Sequence, residues 1–339
     1  MEIEARQIHA PELYGNFWFN GEPVSVHELQ GNVILVDFWD FSSINCIRTF
    51  PYLREWNRKY REFGLTTVGV HTPEFRFGRD PDELGRAIKQ QGIEYPVVAD
   101  NDAVIWSAYG NRQWPARYLI DKDGFIRMKQ QGEGGYGQFE MAIQRLLVEA
   151  GYRGELPDLM KPVRDSDRTG SVSFRASGDL FLGYLRGNLG NNEGYNPEST
   201  IEYADPGYYL RERFYVQGKW RNEKEFLRFD GEPGEQGFIT LQYEALEVNM
   251  VLSTSDGKEG GILVLQDGKP PAKEILGSDV TQADDGSVHG RVLFPQTYNL
   301  IRNTEFGPHT LRILTSSPNL EVYIFTFVSS VIPDLISTN

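Results

Sequence analysis

The stretch that decides the fold is VILVDFWDFSSINCIRTFPYL, residues 33–53. Its first seven residues are apolar and rich in β-branched side chains, which predicts a buried strand holding one ionisable residue, Asp37. After the polar turn DFSS, apolar side chains recur at close to helical spacing as far as Gly64. Pro51 lies inside this helix and should kink it, since the period continues beyond it. The strand therefore delivers residue 43 to the N-terminal end of a helix.

The residue at this helix start is Ser43, and its position matters chemically. Unpaired backbone N–H groups and the helix dipole stabilise an anion there, so that a cysteine at such a place ionises near neutral pH. Cys46, the only cysteine in 339 residues, lies one turn further on nearly the same face, where two sulfurs could close a small ring. Thiol–disulfide exchange needs an attacking thiolate and a resolving thiol, and a serine hydroxyl cannot attack at neutral pH.

Three later segments extend the pattern: GVHTPEF at 69–75, YPVVADND at 95–102 and WPARYLID at 114–121. Together with the stretch around Cys46 they resemble the thioredoxin-like domain of the TlpA and DipZ redoxins, over about residues 15 to 150. The resemblance implies an α/β thioredoxin fold, a central mixed sheet with helices on both faces, without a cofactor or metal. It also implies thiol–disulfide exchange on protein or small-molecule thiols and disulfides, at a C-x-x-C pair that faces a cis-proline above a buried acid.

On this chain the resemblance assigns Asp37 as the buried acid, Cys46 as the resolving cysteine and Pro115, preceded by Trp114, as the cis-proline. Ser43 stands where the nucleophilic cysteine belongs, so dithiol activity is expected to be absent or impaired. Two origins of Ser43 are open: a natural residue, or a substitution introduced to crystallise the reduced protein. The catalytic set is thus Ser43, Cys46 and Asp37, and the substrate-binding set is Trp39, His71, Glu74, Trp114 and Pro115.

Several of these residues have a second interpretation. Asp37 either exchanges protons with a pKa raised by burial, which its place in the motif favours, or is satisfied by a neighbouring backbone group or lysine. A lone histidine at a strand end, such as His71, is at least as often a hydrogen-bonding residue. Cys46, a turn inside the helix, is better explained as a small buried hydrophobe than as a reactive thiol.

The chain as a whole predicts two domains, since 339 residues exceed what one core usually serves. Strands and helices alternate through residues 1–151, the predicted thioredoxin-like domain. Residues 152–170 are rich in proline, glycine and charge, which predicts a linker. Residues 171–339 carry short strand patterns separated by turn signals, which predicts a jelly-roll-like β-sandwich.

The second half also resembles the carbohydrate-binding-module-like domain that follows the redoxin module in the DipZ family, through FLGYLRGNLGN, GKW, EVNMVLST, TYNLIR and VYIFTF in that order. A glycan is therefore a possible partner of this domain. Aromatic side chains could stack on a sugar, although core positions are favoured for most of them. These side chains are Tyr184, Tyr195, Tyr208, Tyr209, Trp220 and Tyr298.

The net charge and the N-terminal sequence restrict which binding partners and which cellular location the sequence predicts. A formal net charge of −14 disfavours nucleic acid and anionic membrane surfaces. No apolar run reaches the length of about 18 residues that spanning a membrane requires. The N-terminus MEIEARQIHAPEL lacks the basic and apolar regions of a signal peptide, which predicts a cytoplasmic protein. A periplasmic or extracytoplasmic location is the alternative if the chain is truncated.

Three functional hypotheses follow. The first is a thiol–disulfide oxidoreductase whose nucleophile is lost or replaced, with Cys46 resolving, Asp37 relaying a proton and Pro115 with Trp114 holding the substrate strand. The second is a non-catalytic module that binds peptides around residue 43 and a glycan or partner through the sandwich. The third, a monothiol peroxidase at Cys46, is disfavoured because the arginine and threonine pattern of peroxiredoxins is not evident.

Overall fold

The computed structural model describes residues 5–333, which form two compact units that divide between Ser171 and Val172. The first unit is built from β1 (Trp18–Phe19), β2 (Val33–Trp39), α1 (Ile44–Tyr60), β3 (Leu65–His71), α2 (Pro81–Gln90), β4 (Val97–Ala99), α3 (Val104–Ala108), β5 (Ala116–Ile120), β6 (Ile126–Gln131) and α4 (Tyr136–Glu149). Its six strands lie in the order β1-β4-β3-β2-β5-β6. Neighbours β2, β3 and β4 pair in parallel, and the remaining pairs are antiparallel, so the predicted mixed sheet is confirmed.

The central strand β2 explains why this sheet is stable. All seven of its residues are buried, because both faces of the sheet are covered. Leu35 and Trp39 point into the core shared with α1 and α4, whereas Val36 and Phe38 point into the opposite core with Ile105 of α3. The alternation places Asp37 on the same face of the sheet as α1, the helix that carries Cys46.

Helix α1 follows the predicted pattern. Phe50, Leu53, Trp56 and Tyr60 are buried at intervals of three or four residues, and the helix continues through Pro51. Helix α2 begins directly after Asp80, whose carboxylate accepts a hydrogen bond from the Asp82 backbone N–H at 2.9 Å. The edge strand β1 is too short to leave a recognisable sequence period.

The segment predicted as a linker, residues 152–170, belongs to the first unit and packs against it. Met160 contacts the core beneath α1 and α4, and the Val163 backbone N–H donates to the Tyr52 hydroxyl at 2.7 Å. That hydroxyl in turn donates to Asp167 at 2.7 Å. Proline and glycine in this segment therefore indicate irregular structure that packs on the first unit.

The second unit is all-β, as predicted. Its strands are β7 (Leu180–Phe181), β8 (Thr200–Tyr203), β9 (Phe214–Asn222), β10 (Leu227–Phe229), β11 (Gly237–Thr254), β12 (Gly260–Gln266), β13 (Val280–Gln282), β14 (Val288–Val292), β15 (Gln296–Thr315) and β16 (Leu320–Val328). They pair in the order β13-β14-β12-β15-β11-β16-β10-β9-β8, with β7 beside β16. Strand β11 pairs with β9 through 238–241 and with β16 through 247–254, so one long strand serves two parts of the sheet around one core.

Three of the six aromatic side chains considered for sugar stacking lie in or against the core of this unit. Trp220 and Tyr298 are buried in the core, and Tyr195 packs against it while its hydroxyl donates to the Leu182 carbonyl at 2.8 Å. Tyr208 remains exposed. In the described part of the chain, residues 5–333, no helix has the length and apolar character needed to cross a membrane.

Candidate functional site

Ser43 lies where β2 has ended and α1 begins. Its φ of −90° and ψ of 115° are those of an extended N-cap residue, and its carbonyl accepts the Cys46 and Ile47 backbone N–H groups, each at 3.1 Å. Its side chain makes no capping hydrogen bond within the described residues. The half-buried Ser43 side chain is therefore not used to close the helix end, and it lies near enough to the Cys46 thiol to influence its pKa.

The Cys46 thiol lies one turn into α1 and is 1% exposed. Burial raises the pKa of this thiol well above its ordinary value, and the nearby Asp37 and Asp40 carboxylates act in the same direction. The Ser43 side chain and the Asp40 backbone N–H, which lies 3.5 Å from Sγ, act in the opposite direction and partly offset that increase. The structure thus brings Ser43 and Cys46 together and leaves Cys46 protonated near neutral pH.

Asp37 is the buried acid of the site and lies near the Cys46 thiol. The carboxyl is fully buried, and neither of its oxygens has a hydrogen-bond partner among residues 5–333. Burial raises its pKa to about 7, and the Arg117 guanidinium limits the increase. Such a group changes protonation state close to neutral pH, which is the property a proton relay needs.

Arg117 is a site residue that sequence reasoning missed. It faces Asp37 in the register of β2 with β5 and has no exposed surface. Its Nη2 donates to the carbonyl oxygens of Gly134 at 2.8 Å and Gly132 at 3.3 Å. A signal was present in WPARYLID, where a charged residue interrupts an otherwise apolar strand directly after Pro115.

Asp40 is the second missed residue, and its environment is the opposite of that of Asp37. Its carboxylate accepts the Ser42 hydroxyl at 2.7 Å, the Ser42 backbone N–H at 3.1 Å and the Glu74 backbone N–H at 3.0 Å. His71 Nε2 lies 3.4 Å from its Oδ1. Burial alone would raise the pKa of Asp40, but His71 and Ser42 outweigh burial and lower it.

The predicted cis peptide bond is confirmed between Trp114 and Pro115. The Trp114 ring is half-buried and lies 4.4 Å, centroid to centroid, from the ring of Trp106. The Pro115 carbonyl accepts the Gly132 backbone N–H at 2.7 Å, which joins the start of β5 to the loop before α4. Trp114 thus presents an aromatic surface next to the cis bond.

Trp39 and His71 were expected to bind substrate, but both side chains are 0% exposed and contact protein groups instead. The Trp39 ring packs edge-on against Phe50 at 5.2 Å and His71 at 4.9 Å. His71 supports Asp40, as does the backbone of Glu74. The Trp39 and His71 side chains are therefore buried behind the turn at 40–43, because each lies at the inward-facing end of its strand, whereas Glu74 contacts that turn through its backbone N–H.

Across residues 5–333, no three His, Cys, Asp or Glu side chains lie close enough together to hold a metal ion.

Comparison with known proteins agrees with the two-part architecture. Residues 7–129 match the AhpC/TSA family, and residues 177–327 match the family described as thioredoxin like C-terminal domain. The second match falls within the all-β unit and the first covers the strand, turn and helix that carry Ser43 and Cys46.

Two curated relatives show how far the similarity extends. Protein DipZ of Mycobacterium tuberculosis is 31% identical over 325 residues, which is 94% of this chain and 42% of that protein. Thiol-disulfide oxidoreductase YkuV of Bacillus subtilis is 31% identical over 140 residues, covering 41% of this chain and 94% of that protein. This chain therefore spans less than half the length of DipZ but nearly all of YkuV.

Among solved structures, a thioredoxin-like protein in its oxidised form is 33% identical, with a TM-score of 0.39. The match covers 42% of this chain and 95% of that one.

Proposed function

Because the chain belongs to the thioredoxin-like redoxins of the thiol–disulfide oxidoreductase family, we propose that Ser43 occupies the position of the attacking thiol. Dithiol exchange is then absent from this chain as it stands. The first domain keeps the surface beside Ser43, Trp114 and Pro115 for partners that carry thiols or disulfides. Thiol–disulfide exchange is the chemistry for which the rest of the site is arranged.

The observation that carries this proposal is the placement of Ser43. Its hydroxyl lies at the N-terminal end of α1, beside the chain's single thiol, Cys46, which lies near the buried carboxyl of Asp37. An oxygen there cannot form the anion that a sulfur would form, since an aliphatic hydroxyl ionises far above neutral pH. The site therefore differs from a dithiol site by one atom, the Ser43 oxygen in place of a sulfur.

The chemistry that a thiol at position 43 would supply can be written in full. Its thiolate attacks one sulfur of a substrate disulfide, forms a mixed disulfide and displaces the other sulfur as a thiolate. Cys46 gives up its proton towards Asp37 and attacks the mixed disulfide. A ring disulfide forms and the second substrate thiol leaves, so that two electrons pass to the substrate. An external dithiol then restores the reduced pair.

Cys46 alone does not support the peroxidase alternative. A peroxidatic cysteine has to reach peroxide as a thiolate, whereas Cys46 is 1% exposed and burial raises its pKa. Its location fits a second, resolving sulfur, which needs to meet only its partner one turn away.

The experiment that tests the proposal restores the sulfur. Ser43→Cys should reduce a disulfide substrate such as insulin with dithiothreitol as reductant, at a rate at least about 100-fold above the parent chain, since a hydroxyl supplies no attacking anion. Turnover is measured from the precipitation of reduced insulin chains and from free thiol.

Asn45→Cys is the matched control, because it adds a thiol to an exposed position of the same helix at the wrong spacing. It should remain at the parent rate. Equal rates for Ser43→Cys and Asn45→Cys, or full turnover by the parent, would rule out the proposed role of position 43.

A further inference from the structure

Arg117 lies at a place where a charged side chain is costly. It is fully buried in β5, the strand that follows Pro115, and lies directly opposite Asp37 of β2. A buried cation is retained only where neighbouring groups compensate its lost hydration. The groups that surround Arg117 therefore indicate what it does.

Three aromatic rings enclose the guanidinium carbon. It lies 4.8 Å from the ring centroid of Tyr136, 5.3 Å from that of Phe139 and 6.0 Å from that of Trp56. Cation–π attraction in such a site orients the guanidinium and is strongest where water is excluded. Rings from α1 and α4 thus hold the charge at a fixed place.

The polar contacts of Arg117 are unequal. Nη2 donates to the Gly134 and Gly132 carbonyls, whereas Nε and Nη1 have no hydrogen-bond partner in the described part of the chain. The Asp37 oxygens are likewise unpartnered there. The cation and the carboxylate consequently interact through space, across the β2–β5 pair, rather than through a direct hydrogen bond.

We propose that Arg117 is a positioning residue of the redox site, whose fixed positive charge keeps Asp37 available in its ionised form beneath Cys46. Its Nη2 also anchors the 132–135 loop to the strand that follows Pro115. The purpose of this pair rests on the proposed function, because Asp37 has to accept a proton from Cys46 when that thiol resolves a mixed disulfide. The pairing itself does not depend on what occupies position 43.

Several other groups act on this pair, and they come from each element around it. Cys46 of α1 and Tyr95, just before β4, lie close enough to Asp37 to interact with it electrostatically. Tyr136 of α4 and Glu133 of the preceding loop face Arg117. Among the groups that act on Asp37 from these elements, Arg117 supplies the positive charge that opposes the effect of burial.

The test is a carboxyl ¹³C NMR titration of Asp37 in the full chain, with its signal assigned by its loss in Asp37→Asn. Arg117→Met and Arg117→Gln should each raise the midpoint by about one to three pH units, the effect expected for a carboxylate that loses a neighbouring arginine. Arg117→Lys keeps the charge and should restore most of the parent midpoint. An unchanged midpoint in the folded neutral variants, or a lysine variant that behaves like methionine, would overturn the inference.

Loss of the loop anchor could prevent folding, so a second measurement is needed. If neither neutral variant folds, Asp37→Asn/Arg117→Met should recover a folded state at pH 8, because the cost of burying an unpaired Asp37 carboxyl, protonated or charged, increases with pH above the ordinary pKa of an aspartate. Failure of the double variant to recover stability would also contradict the pairing.

The catalytic consequence is measured separately. In the Ser43→Cys background, Arg117→Gln should move the acid limb of the pH profile of disulfide reduction upward by the same amount as the NMR midpoint. No turnover by Ser43→Cys itself would count against the proposed function, while the titration would still decide the role of Arg117.

Discussion

Asp37 and Asp40 are three residues apart, and burial leaves each of them at most 1% exposed, yet their carboxyl groups behave in opposite ways. Burial raises the pKa of Asp37 to about 7, whereas His71 and Ser42 overcome burial and lower the pKa of Asp40. The difference lies in the donors around each group. Hydrogen bonds to the charged form decide the protonation state when burial is equal.

The two acids consequently serve different purposes. Asp40 fixes the turn that presents Ser43, because it joins Ser42, His71 and the Glu74 backbone in one buried network. Within residues 5–333 the Asp37 oxygens accept no hydrogen bond, and a pKa of about 7 lets this carboxyl gain or lose a proton near neutral pH. The site thus contains one charged carboxylate that supports the turn, Asp40, and one carboxyl that titrates near neutral pH, Asp37. Substitutions of the two acids should therefore have different effects.

The largest effect is expected from Asp40→Asn. The carboxylate holds several donors away from water, and an amide in its place leaves some of them unpaired, which should lower the free energy of unfolding by about 4 kcal/mol. Urea denaturation followed by tryptophan fluorescence measures it. The exposed Asp102 is the control, and Asp102→Asn should cost less than about 0.5 kcal/mol. Equal costs would show that Asp40 is not a structural support.

Asp37→Asn should change the pH dependence of stability. Between its ordinary pKa of 3.8 and its folded value of about 7, the folded chain holds a proton that the unfolded chain lacks. The parent should therefore lose roughly 3 kcal/mol of stability as the pH rises from 4 to 7, and the variant should lose much less. Thermal unfolding across this range measures both slopes. Parallel slopes would mean that Asp37 does not titrate there.

The smallest effect is expected from Ser43→Ala. Its side chain makes no capping bond among residues 5–333, so the change should cost less than about 0.5 kcal/mol. Asp80→Ala is the matched comparison, since the Asp80 carboxylate caps α2, and it should cost about 1 kcal/mol. A larger loss for Ser43→Ala would show that its hydroxyl is structural rather than the replacement of a reactive group.

Much of this site could be predicted from the sequence because its parts are local. The strand, turn and helix of residues 33–60 have strong periodic patterns, and a motif around Pro115 indicated the cis bond. The burial of Cys46 could also be predicted, since a lone cysteine on an apolar helix face belongs in a core.

The remainder depends on contacts between distant segments. Arg117 meets Asp37 only because β5 pairs with β2, and His71 turns inward to Asp40 only because β3 lies beside β2. Sequence patterns do not state which strands are neighbours, so Arg117 and Asp40 were missed and His71 was assigned to the substrate surface. Residues 152–170 show the same limit, because irregular composition says nothing about which surface a segment covers.

The most direct test of the central claim is the bond that a sulfur at position 43 would form. Ser43→Cys, oxidised with glutathione disulfide and mapped by mass spectrometry, should contain an intramolecular disulfide between the introduced thiol and Cys46. Asn45→Cys treated in the same way should yield only glutathione adducts. An oxidised Ser43→Cys chain that carries adducts and no internal bond would contradict the account.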